Sequence, residues 1–123
     1  MHKTKRILII EGVVGLFNSW CEEIERINKL PPEIHLAVNT EVARKNFEPG
    51  CCDQFDLIVA GHHSPDDKKI VLDFLREIAP RVYPRPILVH SMSPEEVKEM
   101  IKEGGTHGCD SYQVPQTIVT LLE

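Results

Sequence analysis

The stretch "FDLIVAGHHSP", residues 55–65, places four consecutive apolar residues ahead of Gly61, two histidines and a proline. A continuous apolar run bounded by a turn suits a strand buried on both faces, because a half-wet strand would alternate instead. Two other stretches read the same way: "RILII" (6–10), followed by Gly12, and "PILVHS" (86–91). "EIHLAV" (33–38) alternates more and belongs nearer a sheet edge, and "CDSYQV" (109–114) supplies a fifth strand.

Helical periodicity fills the gaps between these runs. Leu16, Trp20, Ile24 and Ile27 recur at helical spacing until Pro31-Pro32 closes the segment. Asn39 or Thr40 is placed to cap a short helix through Phe47. Ile70, Val71, Phe74, Leu75 and Ile78 line one face of a third helix after Pro65-Asp66-Asp67, where the aspartates suit a helix N-terminus and its dipole. "SPEE" offers Ser93 as a cap, Pro94 in the first turn and Glu96 to complete a capping box before Val97, Met100 and Ile101. Pro115 opens a closing helix with Ile118, Leu121 and Leu122 inward. Five strands alternating with five helices predict one parallel sheet covered on both faces, joined by right-handed crossovers.

Composition narrows the function. At 123 residues, with 41% hydrophobic and 27% charged, the chain is expected to form a single domain spanning 1–123. A net charge of −5 gives no basic face for a phosphate backbone, and the one basic cluster, His2-Lys3-Lys5-Arg6, reads as a solvated strand entrance. No apolar run approaches the length of a membrane span or a secretory segment, so the cytoplasm is the expected location, with no nucleic-acid or membrane partner. Cys21, Cys51, Cys52 and Cys109 form no CxxC pair and read as free thiols.

In parallel sheets of this kind the chemistry sits beyond the carboxyl ends of the strands. There the sequence offers Glu11-Gly12, Gly61-His62-His63, His90-Ser91 and Tyr112-Gln113-Val114-Pro115. With these residues the chain resembles the receiver domain of two-component response regulators. A receiver's first strand ends in two acids; "IIEG" keeps the first as Glu11 and has Gly12 for the second. "DLIVAGHHSP" keeps Asp56, Leu57 and Pro65 at the family spacing and has Gly61 where the family has its phosphoacceptor aspartate. "PILVHS" supplies the serine, Ser91, at the fourth strand end. "GCDSYQVP" keeps Gly108, Asp110, Tyr112 and Pro115 but is one residue short and carries no lysine.

The resemblance implies a flavodoxin-like, doubly wound (βα)5 three-layer sandwich with strand order 2-1-3-4-5. Phosphoryl transfer to a receiver needs a carboxylate nucleophile, acidic ligands for Mg²⁺ and a cation for the transferred charge. Gly61, Gly12 and the missing lysine remove one of each. The expectation is a pseudo-receiver, neither an enzyme nor a cofactor binder, whose degenerate pocket comprises Glu11, Gly12, Gly61, His62 and Ser91. Such a module acts on a protein partner through the face of its fourth helix, fifth strand and fifth helix, with Ser91 and Tyr112 at the two switch positions. The same resemblance allows a homodimer through the closing helix.

A second reading is a metal or small-ligand site using His62, His63 and His90 with Glu11, which would suit Zn²⁺ better than Mg²⁺. Adjacent histidines on an extended chain point to opposite sides, which weighs against His62 and His63 reaching one ion. His107 lies in the nearby glycine-rich turn. Cys109 and His107 establish no catalytic pairing by spacing alone, and "EGVVG" has neither dinucleotide-binding glycines nor a P-loop lysine.

Overall fold

The computed structural model describes residues 4–47, 55–61 and 67–123. Its strands are β1 (Arg6–Ile10), β2 (Glu33–Ala37), β3 (Leu57–Gly61), β4 (Ile87–His90) and β5 (His107–Cys109). They alternate with α1 (Val14–Ile27), α2 (Thr40–Arg44), α3 (Lys68–Val82), α4 (Pro94–Glu103) and α5 (Val114–Leu122). The sheet is wholly parallel in the order β2-β1-β3-β4-β5, as expected from the sequence.

Because successive strand residues face opposite sides, the sheet divides its apolar residues between two layers. Leu8, Ile10, Ile58, Ala60, Ile87 and Val89 pack against Ala43 of α2, Val71, Phe74, Leu75 and Ile78 of α3, and Met100 of α4. On the other face Ile7, Ile9, Leu57, Val59 and Leu88 meet Trp20 and Ile24 of α1 and Val114 and Ile118 of α5. Neither layer could be covered by one element, and each fully buried Leu, Ile or Phe contributes about 1.5–3 kcal/mol through burial. At the lower end of the sheet the Asp56 carboxylate accepts from the Arg6 amide at 2.8 Å, and the Asp56 amide donates to the Arg6 carbonyl, which fixes β3 beside β1.

Helix starts depart in part from the sequence expectation. Asn39 caps α2 through Oδ1, which accepts from the Val42 amide at 2.8 Å. The capping box of α4 does not form. Ser93 Oγ donates to Glu95, while Glu96 turns back to accept from Ser91 Oγ at 2.7 Å. Ile70, expected inward, is 52% exposed because the first turn of α3 overhangs the strand ends.

The fifth strand is the main correction. It spans His107–Cys109 rather than 109–114 and ends where Asp110 begins a turn. Asp110 Oδ1 accepts from the amides of Tyr112 and Gln113, winding Ser111–Gln113 into one 3₁₀ turn that runs into α5. A short polar side chain that satisfies the amides ahead of it is a helix-start signal, and it outweighs the strand preference of Tyr112 and Val114.

Candidate functional site at the carboxyl end of the sheet

Parallel pairing brings the ends of β1, β3 and β4 side by side, with Gly61 opposite His90 in register. Gly61 is shaped by that neighbour. A Cβ at position 61 would lie 2.4 Å from the His90 carbonyl oxygen and 2.5 Å from Nε2 of its ring. No real Cβ tolerates such distances, and one obstacle is backbone that cannot move aside without shifting β4. The space where a side chain at this position would begin is therefore occupied by His90.

His90 is completely buried and engaged from several sides. Its Nδ1 lies 3.0 Å from Ser111 Oγ, and its ring meets Trp20 edge-on at 5.1 Å between centroids. The Trp20 indole N–H donates to the Ser111 carbonyl at 3.2 Å, so α1, β4 and the turn after β5 close on one imidazole. Nε2 lies 3.9 Å from Oε1 of Glu11, itself buried at the end of β1. The other Glu11 oxygen accepts from the Val13 amide at 2.9 Å, at the head of α1. Trp20 and Ser111 are absent from the sequence-derived site. The helical spacing of Trp20 marked it only as core, and nothing local marked Ser111.

The remaining expected residues fall in different places. Ser91 is buried, and its Oγ both donates to Glu96 at 2.7 Å and accepts from the Ser93 amide at 3.1 Å. Tyr112 is 79% exposed, its ring outward on the 3₁₀ turn. Gly12 is exposed at the mouth of a cleft beside Val38 and Asn39. His107 opens β5 opposite Leu88, two residues short of the strand end, with its Nδ1 2.8 Å from Thr106 Oγ1. It lies at the opposite end of its strand from the pocket. His62, His63, Pro65, Asp66, Cys51 and Cys52 lie outside the described residues.

Among the described residues no group of three or more His, Cys, Asp or Glu side chains is arranged to hold a metal ion. Burial, with the nearby Asp110 charge adding to it, pushes the Cys109 thiol above its ordinary value despite a hydrogen bond from Thr117. Burial and then Glu25 do the same to Cys21. Both shifts disfavour the thiolate that nucleophilic chemistry uses.

No protein-family model matches the chain, and no curated protein is recognisably similar to it in sequence. Solved structures are similar in shape. The chemotaxis protein CheY4 of Vibrio cholerae superposes with a TM-score of 0.71 at 16% identity, covering 98% of this chain and 97% of that one. A Francisella response regulator receiver domain gives 0.72 at 14% identity, with 96% of each chain covered. The chain has the receiver-domain fold. A Burkholderia pseudomallei response regulator described with a phosphorylated aspartic acid and a calcium ion matches at 0.69 and 18% identity, over 97% of this chain and 66% of that one.

In the receiver-fold frame, Gly61 ends β3, while Glu11 follows β1 and Ser91 follows β4. Of the expected pocket residues, Glu11 and Gly61 both lie against His90, which belongs to the alternative metal set rather than to that pocket, and Ser91 follows His90 in the chain. No helix of the described residues is long and apolar enough to cross a membrane.

Proposed function

We propose that this chain is a receiver-like signalling module that has given up phosphoacceptor chemistry and works through protein contacts. The observation that carries this reading is the fit of His90 against Gly61: the place where an acceptor carboxylate would emanate is filled by an imidazole and a strand carbonyl. Supporting it, the one acid kept at the end of β1 binds the Val13 amide and approaches His90. Ser91, at the position that would follow the phosphoryl group in a receiver, is bound to the head of α4 through Glu96 and Ser93.

The contact surface in this reading is the face of α4, β5 and α5. Ile101 of α4 and Tyr112 of the turn before α5 are exposed there, at 42% and 79%. Val97 and Ile101 lie over Gly108, where an added Cβ would come within 2.4 Å of Val97 Cγ1, so α4 sits close on the edge strand. Exposed aromatic and aliphatic side chains on one face are the composition of recognition surfaces.

The test is a paired capture from cell extract with the wild-type protein and Tyr112→Ala as baits. Proteins retained by the wild type and lost by the variant support the reading. An identical set from both baits contradicts the assignment of this face.

A further inference from the structure

A cleft of about 700 Å³ opens at the carboxyl ends of β1, β2 and β3, on the other side of the sheet end from the α4 face. Val13, Val38 and Ile70 line it and are 50%, 47% and 52% exposed, three aliphatic groups turned to water from three different segments. Glu41, Asp67 and Asp73 stand among them. The single guanidinium in the lining, Arg44, is held by Glu77 at 2.6 Å and lies over the Phe74 ring. Asp73 shares Arg76 with Glu103, whereas Glu41 and Asp67 have no ion pair among the described residues. Apolar walls with carboxylates beside them define the chemistry of a complementary surface.

We infer that this cleft docks a segment of a partner protein in which an aliphatic or aromatic side chain is flanked by lysines or arginines. The apolar side chain enters between Val13, Val38 and Ile70, and the flanking cations reach Glu41 and Asp67. An acidic segment would face the carboxylates of Glu41 and Asp67, and a wholly polar one would leave the three aliphatic groups wet. The cleft spans the starts of α1, α2 and α3, room for a side chain together with its neighbours. The site is independent of the α4 face and stands whether or not that face binds a partner.

The probe is a short peptide with a central leucine-phenylalanine pair and two lysines on each side, titrated into ¹⁵N-labelled protein. The amides of Val13, Val38 and Ile70 are expected to shift saturably. Charge reversal by Glu41→Lys or Asp67→Lys weakens binding by about two- to fivefold, the range of one exposed charge pair. Val38→Asp abolishes it, and Tyr112→Ala leaves it unchanged. Equal binding of a glutamate-flanked peptide or of one with alanines at its centre would overturn the inference. So would shifts centred on Tyr112 and Ile101, or the absence of saturable shifts at millimolar peptide.

Discussion

The His90 carbonyl and imidazole stand 2.4 and 2.5 Å from the point where a Cβ on Gly61 would lie, so the two residues form one packing unit across β3 and β4. Every side chain except hydrogen is excluded at position 61 unless β4 moves. The unit is anchored by Ser111 and Trp20 on one side and Glu11 on the other.

Gly61→Ala is expected to lower stability by about 2 kcal/mol, the cost of overpacking against backbone. Adding His90→Ala removes the ring but not the carbonyl. In urea unfolding the double variant should therefore be more stable than the summed single losses predict, by about 1 kcal/mol. Strict additivity would show that the two residues do not share this space.

Ser111→Ala removes the partner of a buried imidazole nitrogen, with an expected loss of about 1–3 kcal/mol. Trp20→Phe keeps an aromatic face but shrinks a buried indole to one ring and deletes the N–H that donates to the Ser111 carbonyl. It should cost more than Ser111→Ala, because it adds lost core volume to a buried carbonyl left without its donor. Thermal unfolding of the two variants decides the order.

Asp110→Ala removes the acceptor for two amides and should cost about 1 kcal/mol, as loss of an N-cap does. Tyr112→Ala, two residues on, removes an outward ring and should stay within about 0.5 kcal/mol of wild type. A large stability loss in Tyr112→Ala would mean that the ring packs against the domain rather than facing a partner.

Glu33 lies at the start of β2, where hydrogen bonds first from His35 and then from Arg6 hold its carboxyl below the ordinary carboxylate range. A folded-state value below the unfolded one stabilises fully above the unfolded value, about 4.3, and the contribution is lost as pH falls through the folded value. The Tm difference between wild type and Glu33→Gln should therefore be present at pH 7 and shrink only as pH falls below the unfolded value of about 4.3 and through the lower folded one. A difference that grows on acidification would reverse this sign.

Much of the architecture was readable because β1, β3 and β4 are unbroken apolar runs and α3 repeats its apolar residues at a helical period. β5 was not, since His107, Gly108 and Cys109 carry no apolar pattern and lean on α4 through an absent side chain at Gly108. Its apparent continuation through Tyr112 and Val114 concealed the capping role of Asp110. At the candidate site, the glycine at position 61 was legible as a departure only through the resemblance to receivers, which have an aspartate there. That His90 fills the vacated space was not, because the direction of a strand-end side chain depends on what packs around it, here Trp20 and Ser111 from distant parts of the chain.

The central claim is that the pocket cannot accept a phosphoryl group. Intact-mass analysis of the denatured wild-type protein, after incubation with acetyl phosphate and Mg²⁺, tests it most directly. The account predicts an unmodified mass. A stable increase by one phosphoryl group would contradict it.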